Sequence, residues 1–211
     1  MPAKKPTDTF TALAFNCSLK SARAKEKSST DVLLQQLLKA LAKHDVTGDI
    51  VRAVDHNIRP GVEYNEGRGD AWPKLLKRVL AADVIILGTP VWLGQASSVA
   101  KRVMERLDAF IHDLDEHGRM KTFGKVALVA VVGNEDGAHH CSAEMFQALN
   151  DCGFTLPAAG MTYWVGEAMG DKDYKDLWKT PKVVADATAL AAANAMHLAR
   201  LLRKDPYRGM Q

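Results

Sequence analysis

The stretch VIILGTPVWLG, residues 84–94, decides the fold. Val84, Ile85, Ile86 and Leu87 are apolar without alternation, which is the pattern of a strand covered on both faces. Gly88, Thr89 and Pro90 then close the apolar run, Trp92 brings an aromatic ring, and Gly94 frees the backbone. Ser97 and Ser98 follow, and behind them Ala100, Val103, Met104, Leu107 and Ile111 fall on one helical stripe. A buried strand, a bent loop and an amphipathic helix make up most of a parallel βαβ unit.

The same pattern recurs on either side. Further apolar runs occupy residues 11–15, 50–54, 126–132 and 161–165, and VALVAVV at 126–132 is again continuously apolar. Between the runs, Leu34, Leu37, Leu38 and Leu41 have helical spacing, and a helix is expected over 72–80. A C-terminal stripe of Val184, Ala187, Ala191, Ala195, Leu198 and Leu202 suits close packing on a sheet. Strands alternating with helices predict a single doubly wound α/β domain over residues 1–211, built on a five-stranded parallel sheet. Residues 1–9 are expected to form a flexible N-terminus, and 57–70 and 166–180 to be long loops of the kind that carry function.

Composition narrows the function classes. Hydrophobic residues at 47% and charged residues at 25% exclude a disordered, collagen-like or coiled-coil chain. A net charge of +3 gives no ground for a nucleic-acid or membrane partner, and none is expected. Cys17, Cys141 and Cys152 are odd in number and lack CxxC spacing, which argues against a disulfide framework or zinc site and for a reducing compartment. No run approaches the ~20 apolar residues of a membrane span. No apolar segment follows the two N-terminal lysines either, so the expected location is cytoplasmic.

Open parallel sheets bind ligands outside the carboxyl ends of their strands. After the first strand come Asn16-Cys17-Ser18-Leu19-Lys20 and then Ser28-Ser29-Thr30-Asp31, which open the leucine-striped helix. Hydroxyls and free N–H groups at a helix start form an anion site, with Lys20 adding charge; the alternative is plain N-capping. No G-x-G-x-x-G follows, and Gly118 to Lys125 misses the P-loop by one residue and precedes a strand, so neither nucleotide motif is present. After the third strand, Thr89 to Gly94 can take a flat heterocycle against its amides, or be a bare Pro/Gly turn. After the fourth come Gly133, Asn134, Glu135, Asp136 and Gly137, where the alternative is a surface turn. His139, His140 and Cys141 point about 100° apart on a helix, which makes them poor joint ligands, and no metal is expected.

Together these loops carry a resemblance. Asn16-Cys17-Ser18-Leu19-Lys20 with Ser28-Ser29-Thr30, then Thr89-Pro90-Val91-Trp92-Leu93-Gly94 with Ser97, Ser98, Lys101 and Asp108, then Gly133 to His139, resemble the three flavin loops of the flavodoxin-like NAD(P)H-dependent FMN reductases and quinone reductases. The resemblance implies an FMN cofactor and NAD(P)H as co-substrate, with hydride passing to the flavin and on to a quinone, flavin or similar small-molecule acceptor. It implies that Ser18, Lys20, Ser28, Ser29 and Thr30 hold the phosphate. Thr89, Pro90, Val91, Trp92, Leu93 and Gly94, with Gly133, Asn134, Glu135, Asp136 and Gly137, frame the ring, and His139 donates to ring or ribose, or is a solvated helix-start histidine. It also implies a homodimer or homotetramer, with 57–70 and Trp164 near an interface or over the flavin. No acid–base dyad is required, since the cofactor supplies the chemistry.

The phosphate loop departs from the family pattern. Cys17 stands for glycine, Leu19 for proline, Lys20 for arginine and Ser28-Ser29 for glycine-asparagine, and the loop is longer through 22–27. Lysine keeps the charge but gives up the bidentate fork. Two rival readings follow, a flavodoxin-type electron carrier and a regulatory or interaction domain without flavin. The positive net charge counts against the first, because such carriers are usually acidic. Cys17 is expected to be a small packed side chain; the alternative is a thiol activated by Lys20 and the helix start.

Overall fold

Continuous apolar runs want cover on both faces, and the structure gives it to them. The computed structural model describes residues 9–24 and 26–210; the expectation for the N-terminus falls almost wholly outside these. Its strands are β1 (Phe10–Asn16), β2 (Val46–Arg52), β3 (Val84–Trp92), β4 (Gln95–Ala96), β5 (Val126–Gly133) and β6 (Met161–Val165). Five of them run parallel in the order β2–β1–β3–β5–β6, and the two-residue β4 pairs antiparallel with the end of β3. The helices are α1 (Ser29–Ala42), α2 (Trp72–Ala81), α3 (Ser98–Leu107), α4 (Ala138–Asp151) and α5 (Lys182–Lys204). This is the doubly wound, flavodoxin-like architecture expected, with its topological switch between β1 and β3.

The core lies in two layers. On one face α1 and α5 set Leu33, Leu34, Leu37, Ala191 and Ala195 against Ala14, Ile86 and Leu128. On the other, α2, α3 and α4 set Leu76, Val79, Val103, Leu107 and Met145 against Leu13, Phe15, Ile85, Leu87 and Val129. Gly88 has no room for a side chain, because Leu34 of α1 would sit 2.8 Å from its Cβ.

Two boundaries differ from expectation. The second strand is not 50–54 but Val46–Arg52, and residues 53–55 already curl into a 3-10 turn. It is an edge strand with Thr47, Gly48 and Asp49 exposed, so its apolar signal is diluted where it begins. The third strand does not stop before Pro90 but pairs with β5 as far as Pro90↔Val132. β1 leaves β3 opposite Gly88, so Pro90 is paired on one side only, where a missing N–H costs least.

Candidate functional site

The carboxyl ends of β1, β3 and β5 bring the three loops around one open cleft. Ser18, Lys20, Ser28, Ser29 and Thr30 line one end; Pro90, Val91, Trp92, Gly133, Asn134 and Glu135 line the other. Leu19, Val132, Trp164, Asp173 and Tyr174 complete the wall. Thr89, Leu93, Gly94, Asp136, Gly137 and His139 stand outside the lining, and several of them build it from behind.

At the hydroxyl end, capping and cleft lining coexist. The Ser28 hydroxyl accepts from the Asp31 N–H at 3.2 Å and is buried with Thr30, while Ser29 Oγ accepts from the Lys175 N–H at 3.2 Å. Lys20 is half exposed and pairs with Glu26 at 3.5 Å. Sequence reasoning missed the frame beneath. Asn16 Oδ1 accepts from the Ser18 N–H at 3.0 Å, and its Nδ2 donates to Asp31 Oδ1 at 3.1 Å. Arg52 donates to the Lys20 carbonyl at 3.1 Å and pairs with Asp31 at 3.3 Å. Ser21 Oγ and the Ala22 N–H both bind Asp55, so the extended part of the loop is moored to the turn after β2.

At the other end, two loops are pressed together. Leu93 (φ 53°) and Gly94 (φ 74°) form the tight turn between β3 and β4, positive φ at both centres being the mark of a type I′ turn. The Leu93 N–H donates to Glu135 Oε1 at 3.1 Å. Gly137, at φ 133°, approaches Gly94 so closely that a Cβ there would lie 2.7 Å from the Gly94 carbonyl oxygen. Gly133 likewise has Val91 where its Cβ would go, at 2.9 Å. Trp92 remains 52% exposed at the cleft rim, a large flat apolar surface only half covered by protein. Thr89 is buried and its hydroxyl accepts from the Ser97 N–H at 3.0 Å, which sets the start of α3. Asp136 is exposed, and His139 stacks edge-on to Tyr163 at 5.2 Å, away from the cleft lining.

The 166–180 segment forms a side wall and touches both ends. Asn134 Nδ2 donates to the Gly170 carbonyl at 2.8 Å and the Met169 N–H returns to the Asn134 carbonyl at 2.9 Å. Tyr174 packs on Trp164 with ring centroids 5.4 Å apart and donates to Gln36 at 2.5 Å. Burial pushes its phenol above the usual range, against the pull of those polar contacts. Cys17 is fully buried, and burial pushes its thiol far up, which fits the packed role and not the activated one. Among the described residues no group of three or more His, Cys, Asp and Glu side chains is placed to hold a metal, and no helix is long and apolar enough to cross a membrane.

Residues 11–169 match the NADPH-dependent FMN reductase family. Over 203 residues the chain is 36% identical to the divalent metal cation transporter MntH of Mycobacterium bovis, covering 93% of this chain and 29% of that protein. It therefore spans less than a third of that relative. It is 29% identical over 214 residues to the 8-demethyl-8-aminoriboflavin-5'-phosphate synthase of Streptomyces davaonensis, covering 93% of this chain and 79% of that one. The crystal structure of RosB with bound 8-demethyl-8-formylriboflavin-5'-phosphate matches with a TM-score of 0.86 at 27% identity, over 95% of this chain and 82% of that one. With that match across most of its length, and three strand-end loops gathered at one cleft, the chain belongs to the NADPH-dependent FMN reductase family.

Proposed function

We propose that the cleft takes FMN, phosphate at the serine-threonine end and ring at the Trp92 end, and that the enzyme passes hydride from NAD(P)H through it to a quinone, flavin or similar small-molecule acceptor. One observation carries this reading: loops from three separate strands meet in a single cleft whose ends differ in chemistry, hydroxyls and a helix start at one, bare backbone and an aromatic ring at the other. That donor set fits a flat ring joined to a phosphate. FMN, when bound, supplies the two-electron chemistry.

The chain's own part is binding and shielding. Ser18, Ser28, Ser29 and Thr30, with the free N–H groups of α1, hold the phosphate, and Lys20 offsets its charge. Pro90, Val91 and Gly133 present backbone for the ring to lie against, Trp92 excludes water, and Glu135 holds the hairpin tip in place. By resemblance the active form is a homodimer or homotetramer, so sedimentation should give at least twice 23.1 kDa.

The test is a visible spectrum of protein purified without added flavin and again after FMN is supplied, followed by anaerobic mixing with NADH and NADPH. About one FMN per chain, bleached by a nicotinamide cofactor and reoxidised by a quinone, is expected. Bound flavin that neither cofactor reduces would favour an electron carrier, and a colourless protein that ignores FMN would favour a flavin-free role. A second reading makes the flavin phosphate a substrate, favoured by the likeness to RosB holding a flavin-phosphate intermediate. Mass spectrometry of the flavin after turnover separates the two: an unchanged mass supports the cofactor, an altered one the substrate.

A further inference from the structure

Segment 18–20 lines the hydroxyl end of the cleft, yet little in its own sequence fixes its shape: Cys17 and Leu19 stand where glycine and proline would preset the backbone, and the Ser18 hydroxyl reaches the Lys20 carbonyl only at 3.5 Å. Its two ends are held from outside. Asn16 takes the Ser18 N–H at 3.0 Å, and Arg52 takes the Lys20 carbonyl at 3.1 Å. Arg52 is the last residue of β2, in register with Asn16, and its side chain is 16% exposed. The same guanidinium sits 3.3 Å from Asp31, whose Oδ1 also receives the Asn16 amide at 3.1 Å. Arg52, Asp31 and Asn16 therefore form a linked polar frame under the loop.

Charge makes the frame more than a scaffold. Asp31 lies in the first turn of α1, where a carboxylate is welcome to the helix but repels a second anion bound at the same helix start. Arg52 offsets that carboxylate. We propose that Arg52 is a positioning residue that shapes the 18–20 loop and neutralises Asp31, and so sets the preference of the cleft for a phosphorylated flavin over its unphosphorylated form. This rests on the reading of the cleft as an FMN site. Arg52 acts only on the phosphate end, so its loss spares whatever the ring end contributes.

The experiment titrates FMN and riboflavin into the full chain freed of flavin, following flavin fluorescence, for wild type, Arg52→Met, Arg52→Lys and the Arg52→Met/Asp31→Asn double variant. Arg52→Met is expected to weaken FMN by about tenfold to a hundredfold, the worth of a charged hydrogen-bonded contact, and riboflavin by less than about threefold. Adding Asp31→Asn removes the uncompensated carboxylate and is expected to restore part of the FMN affinity. Arg52→Lys keeps the charge but cannot span both partners, so a smaller FMN-selective loss is expected, and it carries the same test if Arg52→Met does not fold. Equal losses for both flavins, no loss for FMN, or no recovery in the double variant would overturn the role of Arg52 while leaving the FMN site standing. A wild-type chain that binds neither flavin would overturn the cleft reading itself, and this inference with it.

Discussion

The guanidinium of Arg106 meets the carboxylate of Asp70 at 2.8 Å, with neither side chain exposed to solvent. The pair fastens the 57–70 loop to α3. Glu66 approaches the same guanidinium at 3.0 Å, and the Trp72 ring lies 5.7 Å from it. Asp70 also receives backbone N–H groups from Glu66 at 2.9 Å, Trp72 at 3.0 Å and Arg59 at 3.3 Å. Asp70→Ala leaves the buried arginine with Glu66 alone and takes the acceptor from three backbone N–H groups, and a loss of about 3–5 kcal/mol is expected. Arg106→Met leaves the aspartate its three backbone donors and should cost less. Urea unfolding of the two variants checks the order, and an equal or reversed loss would refute this account.

The same aspartate gives stability a pH dependence. Burial pushes its carboxyl up, but the three backbone N–H donors and Arg106 outweigh burial and hold it below the usual range. A group with a depressed folded-state pKa contributes in full above its unfolded value, about 3.9, and loses that contribution as pH falls through the folded one. The urea midpoint of the wild type should therefore drop below about pH 4, and Asp70→Asn should flatten part of that drop. Identical acid limbs in the two proteins would count against it.

Gly137→Ala tests the contact between the two ring-end loops. The new Cβ meets the Gly94 backbone at 2.7 Å, from a backbone φ of 133° that side chains avoid. A loss of about 1–3 kcal/mol is expected, together with weaker FMN binding, since the hairpin must retreat. Thermal unfolding with and without FMN measures both; unchanged stability would mean the contact relaxes at no cost.

Trp92→Ala removes the exposed ring at the cleft rim. If that ring covers the flavin, FMN affinity should fall about twofold to tenfold, the worth of one aromatic contact, with a smaller loss of stability than a core tryptophan would give because the side chain is only half covered. Fluorescence titration and a melting curve report the two effects separately.

All three cysteines are buried. Burial pushes Cys141 up to about 11 and Cys152 to about 12, and Cys17 further still. A thiol reagent at pH 8 should label none of them in the native protein within minutes and all of them in denaturant. One fast-reacting native thiol would show a local opening that the packing does not predict.

The parts of the molecule legible in sequence are those whose signal is local. β3 and β5 announce themselves by unbroken apolar runs, and Gly94 and Gly137 mark the turns behind them. The residues that escaped notice act across the chain. Arg52 sits within the apolar run read as 50–54, and only the true end of the edge strand puts it at the carboxyl rim beside Lys20. Asp173 and Tyr174 reach the cleft because a long loop folds back through Ser29 and Gln36, a path no periodicity encodes. His139 has the spacing of a flavin-loop residue, but it stands exposed beside the ring of Tyr163, from β6, as a helix-start histidine outside the cleft lining.

The abutment of Gly94 and Gly137 also bears on how such proteins can be recombined. The Gly94 backbone fills the space that a side chain at Gly137 would need, so the hairpin tip and the turn before α4 are one unit divided between distant stretches of sequence. A chimera that imports the 89–94 segment from a relative must import 133–137 with it, because either half alone meets a surface moulded to its original mate.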